Sequence, residues 1–371
     1  MKRILFATNN MTLGGTEKRM VELANGLCEK GFKIAFFIFN TRERMGWRMK
    51  DLRPEIEVIL PCRDYVKPSI LAGSWEIIKT IWKWKPDVIY SALWNTKAMA
   101  TIAGRILGIR VVLGISNSPV CEISRKKHKF LNVLYRKIVY KLAHVVIAVS
   151  EGLAEESKKF YRLSNVRAIH SGVDIEDIKR RSRSDGKSVP HEYFRGSSPV
   201  LVATGSLHPQ KGHKYMLEAL SIVNASADAR LIIVGGGLLE DELRRKAKLL
   251  KIDDKVSMVG QREPYAYMAC CDIFVHSSIY EGLPMALIEA MSLGLPIVST
   301  RCNHGPAELI TDGESGLLVP VADPEKLASG ILRLISDKKL RSDLGDGAEK
   351  RSRLFTRDRM VSDYERVFMD V

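Results

Sequence analysis

The chain of 371 residues has only six cysteines, and no two of them are spaced Cys-x-x-Cys. Cys270 and Cys271 are adjacent and the others are scattered. This pattern offers no zinc site and suits a reducing compartment rather than a disulfide framework. No Ser-His-Asp order stands out. Gly-x-Gly-x-x-Gly is absent, so an oxidoreductase built on a dinucleotide fold would lack its fingerprint. No apolar run approaches the length needed to cross a bilayer. The opening Met1-Lys2-Arg3-Ile4-Leu5-Phe6-Ala7 has a charged beginning, but its apolar run stops at Thr8-Asn9-Asn10. It reads as a first strand rather than a signal peptide.

What is present is a hydrophobic fraction of 46%, that of a soluble globular protein, on a chain long enough for two domains. Lys and Arg outnumber Asp and Glu by 58 to 43, a net charge of +15. Such a surface seeks phosphates, whether on nucleic acid, an anionic membrane or a small ligand. The segment Arg125 to Lys141 holds seven Lys and Arg and no acid, with Lys126, Lys127 and Lys129 at its start. Its apolar residues, Phe130, Leu131, Leu134 and Ile138 among them, recur at helical spacing. Upstream, Trp75, Trp82 and Trp84 mix with Lys79, Lys83 and Lys85. Basic amphipathic helices with interfacial Trp suit an anionic bilayer surface, and the plainer alternative is a helix packed on its domain with solvated charges.

Apolar runs predict strands at Arg3–Thr8, Lys33–Phe39, Glu57–Leu60, Asp87–Ser91, Arg110–Ile115 and His144–Val149. Between them, helical patterns run over Thr16–Lys30, Ser74–Trp84, Thr96–Leu107 and Ser124–Leu142. From Lys179 to Ser198 the composition turns to Arg, Ser, Lys, Gly and Pro, which predicts domains at 1–185 and 186–356. The alternation restarts with strands at Val200–Thr204, Arg230–Val234, Lys255–Val259, Ile273–His276 and Pro296–Thr300. Helices are predicted at Lys214–Val223, Glu240–Leu250 and Pro284–Leu293. Strand–helix alternation of this kind predicts parallel sheets covered on both faces, with ligands at the carboxyl ends of the strands.

The most informative segment is Tyr280-Glu281-Gly282-Leu283-Pro284-Met285-Ala286-Leu287-Ile288-Glu289. Pro284 marks the first turn of a helix, where its missing N–H costs nothing. Glu281 then precedes the helix, and Glu289 sits about one and a half turns in, roughly 7–8 Å along the axis. The free N–H groups of Leu283 to Ala286 make an anion site. Carboxylates beside such a site suit a ligand that presents hydroxyls as well as phosphates, which describes a nucleotide-sugar. The bland alternative is a core helix with two solvated acids.

With Glu289-Ala290-Met291-Ser292-Leu293-Gly294-Leu295-Pro296-Ile297-Val298-Ser299-Thr300 after it, this segment resembles the donor-binding signature of family-4 retaining glycosyltransferases. The signature is Glu, seven residues, Glu, with Gly and Pro after the first Glu. The resemblance spans nearly the whole chain and is strongest from Val202 to Val319. It implies an α/β GT-B fold, two Rossmann-like doubly wound domains facing a central cleft, with the last helix, 357–371, crossing back onto the first. It also implies that domain closure completes the site and excludes water.

Other segments join the resemblance. Leu13-Gly14-Gly15-Thr16-Glu17 is similar to the family's Gly-Gly-x-Glu loop, which reaches toward the donor phosphates. Thr204-Gly205-Ser206-Leu207-His208-Pro209-Gln210-Lys211-Gly212 places Lys211 to neutralise a departing diphosphate. Ser206 stands where the family usually has Arg; it can still donate one hydrogen bond, and either the phosphates get less help or another cation, such as Arg262 or Lys18, substitutes. Val259, Gly260 and Arg262 match the turn that holds the nucleobase. The turn Asn303-His304-Gly305-Pro306-Ala307-Glu308 is similar to the family's Gly-rich turn and reads as structural, as does His170. Many members carry a His near the reacting sugar where this chain has Ser116-Asn117-Ser118-Pro119; Asn117 offers a hydrogen bond to the sugar or acceptor but no base.

The resemblance implies a metal-independent glycosyltransferase that needs no cofactor. Asp-x-Asp, with which glycosyltransferases of the other main fold commonly hold their metal, occurs nowhere in the chain. The donor would be a nucleoside-diphosphate sugar, UDP for preference, bound by Glu281, Gly282, Leu283, Pro284, Met285, Ala286 and Glu289 with Gly14, Gly15, Gly205, Ser206, Lys211, Val259, Gly260 and Arg262. Glu281 and Lys211 would carry the chemistry. The acceptor would be a lipid-linked glycan, met by a peripheral enzyme at the cytoplasmic membrane face, with no nucleic acid as partner. Transfer to a soluble acceptor such as a sugar phosphate is the second reading, and a nucleic-acid-binding protein the third.

Overall fold

The computed structural model describes residues 2–12, 14–40, 48–61, 69–124, 129–184, 189 and 198–371, apart from the side chains of Ser124, Lys129 and Ser184. The chain divides into two compact units, Met1–Gly172 with Arg357–Val371, and Val173–Thr356.

The first unit holds a seven-stranded parallel sheet in the order β3-β2-β1-β4-β5-β6-β7. Its strands are β1 (Arg3–Thr8), β2 (Lys33–Ile38), β3 (Glu57–Ile59), β4 (Val88–Ser91), β5 (Arg110–Ile115), β6 (Val145–Ala148) and β7 (Val166–Ala168). Near-continuous apolar runs such as Ile4-Leu5-Phe6-Ala7, all fully buried, fit a sheet covered on both faces. Phe6 on β1 stacks on Phe36 of β2, with 4.9 Å between ring centroids, and meets the edge of Tyr90 on β4 at 5.2 Å. The helix Arg357–Asp370 completes this core: the Tyr364 hydroxyl lies 3.2 Å from that of Tyr90, and Met360, Val361 and Phe368 are buried with it. It packs on the helix Gly15–Glu29, where Gly26 leaves no Cβ against Val361.

The second unit holds a six-stranded parallel sheet in the order β10-β9-β8-β11-β12-β13. Its strands are β8 (Val200–Thr204), β9 (Arg230–Val234), β10 (Val256–Met258), β11 (Ile273–His276), β12 (Ile297–Thr300) and β13 (Leu317–Val319). In each sheet the strand order turns back at one place, between β1 and β4 and between β8 and β11.

Most predicted strands agree with the structure to within a residue at each end. The three-residue strands β7 and β13 lie outside the predicted set, as does the helix Glu151–Tyr161. Of the predicted helix 124–142, Lys129–Leu142 is helical and Ser124 ends the helix Pro119–Ser124, while 125–128 lie outside the described residues. The units divide at Gly172/Val173 rather than at 185/186. The reason is the helix Ile175–Ser184, which packs against the helices Tyr265–Ala269 and Met285–Ser292 of the second unit. Lys179 on that helix pairs with Glu349 at 2.5 Å, Arg181 pairs with Glu263, and the Val173 N–H donates to the Phe355 carbonyl at 3.0 Å.

In the first unit the helices Ile70–Trp84, Trp94–Leu107 and Lys129–Leu142 pack in sequence, each on the next. The first buries Ile77, Ile78, Ile81 and Trp84 and leaves Leu71, Trp75 and Trp82 exposed. The third buries Val139 and Tyr140 and exposes Phe130, Leu131, Leu134 and Ile138. Lys126 and Lys127 lie outside the described residues, and so does the side chain of Lys129. Among the described residues no helix is long and apolar enough to cross a membrane.

Candidate active site

Because β8 and β11 are neighbours, the loops leaving their C-terminal ends lie side by side, at the place where open α/β sheets bind ligands. The β8 loop ends in a single 3₁₀ turn, Pro209–Lys211, capped by the His208 ring, whose Nδ1 accepts from the Gln210 N–H at 3.3 Å. Gly212 closes this turn at φ +63°. A Cβ there would stand 2.1 Å from the Ser277 carbonyl oxygen, so glycine is what lets the two loops meet. They are tied by the Ser277 hydroxyl donating to the Lys211 carbonyl at 2.8 Å and the Ile279 N–H donating to the Gln210 carbonyl at 2.8 Å. Gln210 Nε2 donates to the Tyr280 carbonyl at 2.9 Å.

Glu281 sits at the centre of this junction and is only 5% exposed. Lys211 Nζ donates to its Oε1 at 2.6 Å, and the Ser278 hydroxyl donates to the same oxygen at 2.7 Å. Gln210 Nε2 reaches Oε2 at 3.4 Å. His276, at the end of β11, holds its Nε2 3.5 Å from Oε1 and its Nδ1 3.0 Å from the Ser299 hydroxyl. Burial pushes the Glu281 carboxyl up, but Lys211 and His276 outweigh it and hold the group at about 2. The acid is therefore ionised across the neutral range. Its contribution to stability is present above the ordinary value of 4.5 and is lost as pH falls toward about 2. His213 is buried nearby, with Nε2 donating to the Ser206 carbonyl at 3.3 Å. Burial first, then Lys211 and His276, push it down to about 4 and keep it neutral.

Pro284 is the residue before the helix Met285–Ser292 rather than its first residue, as its ψ of 109° shows. The helix begins one residue later than predicted, and the Met285 and Ala286 N–H groups point out of its first turn. Glu289 is the fifth helical residue and is buried at 6% exposure. Gly282, Leu283 and Pro284 form the link from Glu281, backed by the turn after β12. There Gly305, at φ +59°, leaves no Cβ against Pro284 Cδ and the Gly282 carbonyl.

The remaining predicted residues separate into two groups. Gly205, Val259 and Gly260 line the carboxyl edge of the same sheet. The Gly205 N–H donates to the Val234 carbonyl at 3.0 Å, and the Gly235 N–H to the Gly260 carbonyl at 2.9 Å. Ser206 is exposed and offers its hydroxyl to solvent while its carbonyl serves His208 and His213. Arg262 is exposed and turns Nε onto the Val259 carbonyl at 3.0 Å. Gly14, Gly15, Lys18 and Asn117 belong to the first unit. Gly14 precedes the helix Gly15–Glu29 without a side-chain cap, Lys18 is buried on that helix, and Asn117 follows β5.

Sequence reasoning missed Gln210, Ser278, His276 and His213, which complete the surroundings of Glu281. The available signal was His276-Ser277-Ser278, a polar ending on a buried apolar strand.

Two family profiles match the chain. The one described as "Glycosyl transferases group 1" covers residues 189–351, and the one described as "Glycosyltransferase Family 4" covers residues 13–177. An N-acetylgalactosamine-N,N'-diacetylbacillosaminyl-diphospho-undecaprenol 4-alpha-N-acetylgalactosaminyltransferase of Campylobacter jejuni is 26% identical, over 72% of this chain and 73% of its own. The N-acetyl-alpha-D-glucosaminyl L-malate synthase of Bacillus anthracis is 27% identical, over 100% of this chain and 98% of its own. Among solved structures, Anabaena HepE in complex with UDP and glucose aligns with a TM-score of 0.80 at 20% identity, covering 100% of both chains. The protein belongs to the family-4 glycosyltransferases of the GT-B fold. It is an enzyme that transfers sugars.

Proposed function

We propose that the enzyme retains anomeric configuration, works without a metal, and moves a hexose or N-acetylhexosamine from a UDP-sugar to a hydroxyl of a lipid-linked glycan. The observation that carries this reading is the buried, ionised Glu281 paired with Lys211 at the turning point of the second sheet, beside a helix N-terminus whose next turn presents Glu289. Glu281 accepts hydrogen bonds from hydroxyls of the donor sugar and supports the positive charge that grows at the anomeric carbon. Glu289 accepts from the ribose hydroxyls. The Met285 and Ala286 N–H groups, with Lys211, stabilise the diphosphate as it leaves, which is the charge a metal would otherwise neutralise. No side chain is assigned as base; an oxygen of the leaving phosphate takes the acceptor proton on the same face. UDP is proposed on the precedent of the HepE complex.

The lipid-linked acceptor rests on the outer faces of the two amphipathic helices. Trp75 and Trp82 meet edge to face at 6.0 Å and are half exposed, and Phe130 is 77% exposed. Lys83 and Lys85 stand at the C-terminal end of the first helix, and Lys137 and Lys141 lie in the second. Exposed apolar side chains on helices that also carry cations fit an anionic bilayer at the cytoplasmic face. The C. jejuni relative, whose acceptor is carried on diphospho-undecaprenol, supports this choice; the L-malate synthase supports the soluble-acceptor alternative.

The experiment is sugar transfer to a polyprenyl-diphosphate saccharide in vesicles with and without phosphatidylglycerol, in the presence of EDTA. Transfer is expected on the anionic vesicles, with the product linkage in the donor's configuration. The double variant Trp75→Glu, Leu134→Glu should lose binding to those vesicles. Equal binding by the variant would end the membrane reading, and an inverted linkage or sensitivity to EDTA would end the mechanistic one.

A further inference from the structure

The site contains a buried nitrogen without a hydrogen bond. His276 is 4% exposed, and its Nε2 has no partner within bonding geometry among the described residues, although it faces Glu281 Oε1 at 3.5 Å. Leaving such an atom unpaired is costly, so its arrangement calls for a state in which it is paired. The ionised carboxylate that Nε2 faces favours the tautomer with the ring proton on Nε2, aimed at Glu281; Nδ1 then accepts from the Ser299 hydroxyl at 3.0 Å, which also lies 3.2 Å from the Thr300 carbonyl oxygen.

Glu281 is held unevenly. Oε1 takes Lys211 at 2.6 Å and Ser278 at 2.7 Å, while Oε2 has, among the described residues, Gln210 at 3.4 Å. Oε2 is thus the oxygen with room for a sugar hydroxyl. Lys211, in turn, is asked to serve two anions, the carboxylate it now holds and the incoming diphosphate. Its side chain is 22% exposed, so it reaches solvent while bonded to Glu281.

We infer that His276 is a positioning residue that takes over Glu281 Oε1 when the donor's diphosphate draws Lys211 away. The Nε2–H closes the gap to Oε1, the orphaned nitrogen is satisfied, and the carboxylate keeps its tilt with Oε2 toward the sugar. Without His276, moving Lys211 would strand a buried carboxylate on Ser278 and Gln210 alone. This inference rests on the donor-site reading given above. It adds that the resting ion pair is a temporary arrangement and that the enzyme carries its own substitute donor.

The test compares wild type, His276→Leu and His276→Gln, with UDP as the probe and calorimetric titration as the readout, alongside melting curves without ligand. Because Nε2 makes no hydrogen bond of good geometry among the described residues and lies 3.5 Å from Oε1, His276→Leu should leave the ligand-free melting point within a few degrees. Its UDP affinity should fall about tenfold to a hundredfold, the effect of one lost donor to a charged group. His276→Gln, which keeps an N–H donor, should recover most of that loss. The inference is overturned if His276→Leu binds UDP within twofold of wild type. It is also overturned if the ligand-free melting point drops in step with affinity, or if Gln fails to restore binding. If the wild type itself does not bind UDP, the donor reading fails first and takes this inference with it.

Discussion

Glu281→Gln should lower the rate of sugar transfer by about a hundredfold to a thousandfold while UDP binding survives. Gln has nearly the shape of Glu and accepts from Ser278 through its carbonyl, so the loops after β8 and β11 stay joined by Ser277, Ile279 and the Gln210–Tyr280 contact. What disappears is the negative charge, held at about 2 by Lys211 and His276 and therefore present at every working pH. A charge fixed in advance where the anomeric carbon turns positive stabilises the transition state more than the ground state, so the loss belongs in kcat rather than KM. Initial rates with the transferred donor measure it. A variant turning over within tenfold of wild type would remove Glu281 from the chemistry.

Gly212→Ala should destabilise the second unit by about 2–4 kcal/mol and abolish transfer with it. Two costs combine at this position. The backbone is left-handed at φ +63°, which costs an L-residue on the order of 1 kcal/mol. The added Cβ would also stand 2.1 Å from the Ser277 carbonyl oxygen, a backbone atom that cannot swing aside. Relief requires the two loops to part, breaking the Ser277–Lys211 tie and moving Lys211 off Glu281. Gly313 separates the two costs: it has φ +80° with nothing within 4 Å of a Cβ. Denaturant unfolding should show Gly313→Ala losing only the backbone share, on the order of 1 kcal/mol. Equal losses in the two variants would mean that the contact with Ser277 has no weight.

The sheets were legible because their strands are buried on both faces and so appear as unbroken apolar runs, as in Ile4-Leu5-Phe6-Ala7 and Val200-Leu201-Val202-Ala203. The strands Val166–Ala168 and Leu317–Val319 lie outside the predicted set although Glu57–Ile59 and Val256–Met258, equally short, lie within it, so their place comes from pairing with β6 and β12. The change of composition from Lys179 onward marks where the sequence becomes linker-like, but the helix Ile175–Ser184 that runs into it belongs to the second unit. Its allegiance comes from tertiary partners, Glu349 to Lys179 and Glu263 to Arg181, that no local pattern reveals. Glu281 and Glu289 could be singled out by their spacing and by the helix start between them. The pairing of Glu281 with Lys211 could not, because the two are 70 residues apart and meet only through the placement of β11 beside β8. His276 escaped notice for a related reason: a single His closing a buried strand carries no pattern, and its meaning depends on the carboxylate it faces.

The central claim is that the second unit binds a nucleotide-sugar through Glu281, Glu289 and Lys211. A thermal-shift panel at fixed, moderate salt tests it most directly. It would set UDP, GDP, ADP, NAD, UDP-glucose, UDP-galactose, their N-acetylamino forms and a DNA duplex against wild type and Glu289→Ala. A ligand at about a hundred times its dissociation constant adds about 2.7 kcal/mol of stability. The expected result is that UDP and one of its sugars raise the melting point of wild type and raise that of Glu289→Ala much less. A shift with DNA alone, or an identical response from Glu289→Ala, would contradict the account.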